Sequence, residues 1–497
     1  MLTRLAIFLG VAVVSCALAL GQETHSHAAP EQLGKVSFPV SCRPSVQKDF
    51  NRGIALLHSF AYGEAEQQFR SVAELDPRCA MAHWGIAMTK FHQLWQPPIA
   101  PREFLPAHNE VQQGLRMGVP TEREKGFLRA ADLIFLANAD IDYPTRALRY
   151  EEAMAALAAA NPEDPETQIF YALALLANAS PADQSHVRQK KAAQILEPLF
   201  QSMPAHPGIA HYLIHACDNA EMASSGLPAA RLYARVAPSA PHALHMPSHI
   251  FTRLGLWEDS IASNSAAREA AHRAGDLGEE LHAMDYLVYA YLQLGREAEA
   301  KRIVDQMKSM PSTNIEDFKV AYAATAMPVR YAAERGMWAE AASVPIPAGA
   351  PAEVRAIAIW SQGIGLARSA QIDEARTRVD ELESNAGKLA GPARDYWARQ
   401  SEILRLELSA WIALAAQKNE DAVSLMRRAA DDEDSLEKLP VTPGPIVPAR
   451  EQLGEILLKL GRNHAAICEF QTSLKLAPGR RGGAVGLRQA LKATEPN

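Results

Sequence analysis

Apolar residues recur along this chain at i, i+3, i+4 and i+7 rather than at every second position, the spacing of amphipathic helices. The helices come in short pairs separated by tight turns. In the first pair, counted from Val46, Gly53 and Ala65 stand at positions 8 and 20, Phe69 at 24 and Pro77 at 32. The small residues let two helices approach closely, and Phe69 fills the space to the next pair. Pro77 ends the second helix, because proline has no N–H to continue the ladder. RCAMAHWGIAMTKFHQLW reads as a further amphipathic helix, interrupted by Pro97, Pro98 and Pro101. Helices are predicted over Glu103–Met117, Thr121–Ala137, Thr145–Ala160, Glu166–Asn178 and Val187–Gln201, with breaks at Asn161-Pro162 and Asp164-Pro165. Turn signals return at 254–257, 294–300, 335–341, 369–375 and 417–422. Near the C-terminus Gly454, Gly461, Ala466, Phe470 and Pro478 fall at positions 8, 15, 20, 24 and 32 of a last pair.

These positions resemble the tetratricopeptide repeat (TPR) family, whose unit is a helical hairpin of about 34 residues. The resemblance covers 46–480. It is specific in the first, the sixth-to-seventh and the last hairpins and degenerate between them. It implies an all-α solenoid of about nine or ten hairpins. In such a solenoid, positions 2, 5, 9 and 12 of each first helix line a concave groove, and a peptide or protein segment is the expected partner. FAYGEAEQQF, DPRCAMAHWGIAM, HYLIH and HALHMPSHIF together look like a group of exported bacterial TPR proteins. That likeness supplies a fold and no reaction. The chain then divides into a signal peptide (1–21), a linker (22–45), the solenoid (46–480, with His-rich repeats at about 207–274) and a C-terminal cap and tail (481–497).

The histidines change the picture most. Six of the chain's 16 lie between His206 and His249. His211 and His215 are four apart, as are His245 and His249, which puts each pair on one helix face. The second pair follows the first by 34 residues, one repeat. In the repeat register His211 and His215 take positions 5 and 9, and His242, His245 and His249 take 2, 5 and 9 of the next repeat. His282, Asp285 and Tyr289 take the same three places one repeat later. All are then groove positions. First helices of neighbouring repeats lie about 10 Å apart, close enough for imidazoles to converge on one ion at about 2.0–2.1 Å. The reading is a metal site of His211, His215, His245 and His249, with Asp285, His282 or His242 as additional ligand or orienter. Asp218 and Glu221, toward the helix end, are weaker candidates. Neutral imidazole suits Cu, Zn or Fe without choosing among them. Groove histidines that bind a peptide or anion, and histidines satisfied by one another, are the alternatives. Pro247 complicates the second pair: either the helix starts late or it is kinked. Met246 is a soft-ligand candidate for Cu(I), with a core role as its alternative. His58, His83 and His92 form a looser cluster read mainly as packing and surface.

Composition bounds the partners. The net charge is −7 with no basic stripe, which argues against nucleic acid. H-E-x-x-H, G-x-S-x-G and Walker signatures are absent from the sequence. The function reading is therefore an exported scaffold binding a peptide or protein in its groove, with a His-ligated metal site there. A metalloenzyme with an open coordination position is the alternative. The N-terminus has a basic start and an apolar run, Leu5 to Val14, too short to span a bilayer. Ala19-Leu20-Gly21 offers ordinary cleavage; Val13-Val14-Ser15-Cys16 resembles a lipobox. The protein is thus expected to be periplasmic or secreted, with a membrane contact only if Cys16 is lipidated. Export permits disulfides. Cys42 and Cys79 are candidates for a pair, with buried free thiols as the alternative.

Overall fold

The structure is a computed structural model that describes residues 31–94, 99, 101–136, 141–310, 317–389 and 395–495. The signal-peptide reading, Cys16 included, lies outside these residues. Among the described residues there is no strand, and the helices pair in sequence into eleven hairpins. The first is Gln47–His58 with Tyr62–Leu75, the last Ala449–Lys459 with Asn463–Leu476, and Arg481–Lys492 follows as a single helix. The chain is an all-α solenoid of helical hairpins, from Gln32 onward one unit. The hairpins number slightly above the nine or ten read from the repeat signals, because those signals are degenerate in the middle of the chain. No described helix is long and apolar enough to cross a membrane.

The repeat positions do what their residue types require. A Cβ on Gly53 or Gly85 would lie 2.7 and 2.5 Å from the Phe69 ring, so Phe69 wedges between two glycines of adjacent hairpins. Phe470 repeats the arrangement against Gly454 and Gly486, at 2.7 and 2.3 Å. Asp164 caps the helix Pro165–Ala177 by accepting from the Glu166 N–H, which is why that break stops one helix and starts another. One expectation fails. The helix in RCAMAHWGIAM runs only over Ala80–Met88, and every one of its residues is buried, so it is not amphipathic. It lies inside the first core, with Trp84 against Phe38, Phe127 and Phe170.

Phe38 belongs to the stretch read as a linker. From Gln32 the chain runs without regular secondary structure against the repeats, the Lys35 N–H donating to the Ala205 carbonyl at 2.9 Å. Cys42 and Cys79 are joined in a disulfide, tying this strap to the second hairpin. Cys217 is a buried thiol and Cys468 an exposed one.

The concave side is not an open groove. The loop 435–448, rich in proline, turns inward between two late helices. Arg330, fully buried, donates to the Pro445 and Gly444 carbonyls at 2.7 and 3.2 Å, and Tyr286 donates to the Thr442 carbonyl at 3.1 Å. The C-terminal end also returns to the His-bearing repeats. Trp257 donates to the Gly479 carbonyl at 3.1 Å, and buried Arg480 reaches the Tyr289 hydroxyl at 3.1 Å.

A candidate metal centre of paired histidine triads

The two His-bearing hairpins are Pro207–Cys217 with Ala223–Val236, and a broken first helix, Pro241–His245 then Pro247–Arg253, with Trp257–Ala274. Pro247 produces a kink, not a late start: Met246 keeps helical dihedrals (φ −51°, ψ −37°) and its N–H still donates to the His242 carbonyl. Both halves of the kinked helix therefore carry histidines inward. Met246 itself is fully buried within the main apolar core, the role of a packing methionine.

The imidazoles sort into two sets of three. His211, His215 and His242 form one and His245, His249 and His282 the other, the ligand atoms of each set lying within 4.8 Å of one another. This departs from the expected four-membered set of His211, His215, His245 and His249, because position 2 of the following helix completes each i, i+4 pair. Nor do they line an exposed groove. Five of the six are at most 3% exposed and His215 is 9% exposed. Phe60 lies over the first triad, its ring centroid 4.4 Å from His211 and 5.3 Å from His242. Phe60 has φ +55°, an unusual conformation for a non-glycine residue.

The hydrogen bonds behind four of the six rings fix their tautomers. His211 Nδ1–H donates to the His58 carbonyl at 2.6 Å, and His242 Nδ1–H donates to Glu279 Oε2 at 3.3 Å. His249 Nδ1–H donates to Asp218 Oδ2 at 2.8 Å. His245 Nδ1–H donates to Asn264 Oδ1 at 2.7 Å, the amide being oriented by its own bond to the Ser260 carbonyl. Every one of these acceptors accepts only, so in each neutral ring Nε2 carries a lone pair. His215 Nε2 lies 3.1 Å from His211 Nε2. Among the four fixed rings, His211 Nε2 lies 3.2 Å from His242 Nε2, and His245 Nε2 lies 3.0 Å from His249 Nε2. Lone pairs facing each other at that distance repel unless an electrophile sits between them. Two imidazole nitrogens on one tetrahedral ion are about 3.3 Å apart, given bonds of about 2.0–2.1 Å.

Electrostatics points the same way. Burial, and then the neighbouring imidazoles, hold His211, His215, His245 and His282 well below the usual histidine value. Burial takes His249 down to about 4, even with Asp218 beside it. Neutral imidazole is the metal-binding form. Burial would raise Asp218, but Lys438 at 2.7 Å and Arg253 at 2.9 Å outweigh it and keep the carboxyl well below its usual range. Burial would likewise raise Glu279, and Lys319 at 2.6 Å, with His242, outweighs it. A carboxylate behind a ligand imidazole orients the ring and raises its basicity, the arrangement typical of metal-bound histidine.

The remaining candidates lie outside both triads. Asp285 accepts from Arg330 Nε at 3.4 Å, and Glu221 pairs with His186 and Lys190. His83 pairs with Glu110, and His92 stacks on Tyr62. A third buried group, His58, Glu166 and His206, differs in kind. Glu166 accepts from His58 Nε2 at 3.0 Å and from His206 Nε2 at 3.1 Å, while the Tyr212 hydroxyl donates to His58 Nδ1 at 2.9 Å. Protons satisfy each of those contacts, so this network calls for no ion.

Reasoning from the sequence missed Glu279, Asn264 and Phe60. Asn264 had a readable signal, for it stands at position 24 of its repeat, where Phe69 and Phe470 are wedges. Glu279 sits three residues before His282, on the same helix face. Phe60 carried none. A cavity of about 880 Å³ adjoins the first triad, lined by His215, Asp218, Phe318, Trp397 and Lys438 among others.

No protein-family model matches this chain, and no curated protein sequence does. Solved structures similar to parts of it are helical-repeat proteins. The P58(IPK) TPR domain is 12% identical, with 90% of this chain and 98% of that one covered, at a TM-score of 0.23. The Cut9–Hcn1 hetero-tetramer of the APC/C is 10% identical, with 92% and 79% covered, at 0.37. Yeast Tom70 is 11% identical, with 90% and 88% covered, at 0.31.

Proposed function

We propose that this chain is an exported helical-repeat protein that holds a transition metal, Cu, Zn or Fe, on buried histidine triads. The carrying observation is two pairs of Nε2 atoms, His211 with His242 at 3.2 Å and His245 with His249 at 3.0 Å, whose ring partners leave lone pairs facing one another. The repeats supply the rigidity such a site needs, since each ligand stands on a packed helix. Export is supported by the Cys42–Cys79 disulfide, a bond that persists in oxidising compartments. The solenoid remains a scaffold suited to a peptide or protein partner, but a partner reaching the concave face beside Tyr286 and Arg330 would have to displace the loop 435–448.

A second reading, metalloenzyme, is favoured by one observation. Three protein ligands rather than four is the count of catalytic sites, and the cavity beside His215 gives water or a substrate a place to bind. Elemental analysis of protein purified from its native compartment tests the metal. Wild type should carry at least about one equivalent of Cu, Zn or Fe per chain, and His211→Ala with His245→Ala should carry none. A metal-free wild type that also takes up none on titration would overturn the proposal.

A further inference from the structure

The two triads are one motif used twice. Each takes positions 5 and 9 of one first helix and position 2 of the next, so His211, His215 and His242 shift by a repeat to become His245, His249 and His282. Each also has its own carboxylate behind a ligand ring, Glu279 on His242 and Asp218 on His249. The triads adjoin closely. Rings of different triads, His215 and His249 or His242 and His245, have centroids 6.1 and 6.2 Å apart. That is no farther than His249 and His282 within a triad, at 6.3 Å. The ligand atoms nonetheless gather triad by triad, three and three, and not as one set of six, so each triad offers a site of its own.

Resting on the metal-binding reading above, we propose that the triads hold two ions as one dinuclear centre, one ion per triad. Charge restricts its form. Six neutral imidazoles bring no negative charge, and Glu279 and Asp218 are already paired with Lys319, Lys438 and Arg253. Two bare divalent ions would add four positive charges to a buried site, a severe desolvation cost. The centre is therefore two monovalent ions, or two divalent ions sharing a small bridging anion such as hydroxide. The first ion is the exchangeable one, since His215 lines the cavity. The second is walled by Tyr286, whose hydroxyl lies 3.4 Å from His249 Nε2 and is held by the loop.

The test is titration of the metal-free full chain with Cu(II), with bound copper measured after gel filtration and electron paramagnetic resonance recorded on the same sample. Two equivalents are expected, with a signal diminished or broadened by spin–spin interaction between neighbouring ions. His215→Gln and His249→Gln should each bind one equivalent with a full, unbroadened signal. Circular dichroism checks their folding, and His282→Asn substitutes for a variant that fails it. Saturation of wild type at one equivalent, or two equivalents with independent signals, would overturn the dinuclear centre while leaving metal binding intact. No copper bound would remove both.

Discussion

Asn264 shows how one side chain redirects a repeat. Where Phe69 and Phe470 wedge hairpins together with apolar rings, Asn264 places an amide that takes the Nδ1–H of His245 and turns Nε2 inward. A buried polar group at a packing position is costly unless its bonds are satisfied, and here they are. Glu407 is a contrasting case. It is 2% exposed, and burial, then the nearby Glu433, push its carboxyl well above the usual range. An acid whose folded value is raised stabilises fully below the unfolded value and loses that contribution as pH rises through the carboxylate range toward the folded value. Glu407→Gln, which keeps the neutral shape, should therefore gain on wild type as pH rises. Melting temperatures of both proteins at about pH 5 and about pH 8 check this. An equal difference at both pH values would show that Glu407 is not held neutral.

Among helices, the wedge and the kink have separate consequences. Phe470 is 3% exposed and fills the space between two glycines of different helices. Phe470→Ala leaves a void that close-packed backbones cannot collapse into, and about 3–5 kcal/mol of stability should be lost. Denaturant unfolding measures it; an unchanged midpoint would mean that the last hairpin holds without its wedge. The Pro247 kink belongs to the site instead. Its missing N–H splits the helix into Pro241–His245 and Pro247–Arg253, and the two segments place His242 with the first triad and His245 and His249 with the second.

For the molecule as a whole, the inward loop matters most. Asp285 and Arg330, both fully buried, form an ion pair whose guanidinium also holds the loop through two carbonyls. Arg330→Ala strands a buried charge and releases the loop, so stability should fall by about 3–5 kcal/mol. Protease cleavage within 435–448 should rise. Arg330→Ala combined with Asp285→Asn should recover part of the stability and leave the loop cleavable. If cleavage stays at the wild-type level in both variants, the loop is held by other contacts.

Much of this architecture is readable in one dimension because its causes are local. Helical periodicity, the Gly–Phe–Pro positions and the four-residue histidine spacing all act within a single hairpin, so a window of about 34 residues contains them. The solenoid and the inward direction of His211, His215, His245 and His249 follow from that window. Which imidazoles meet does not. His242 joins His211 across a hairpin boundary and His282 joins a helix broken at Pro247, so grouping depends on the rotation between neighbouring first helices. Longer contacts leave still less trace: Lys438 reaches Asp218 across 220 positions and Trp257 reaches Gly479 across 222. Asp285 looks like a ligand by register and pairs with Arg330, because only the folded chain brings that buried guanidinium beside it. Short-range spacing writes the helices and their faces; the closure that buries the triads comes from side chains that meet only after the repeats have stacked.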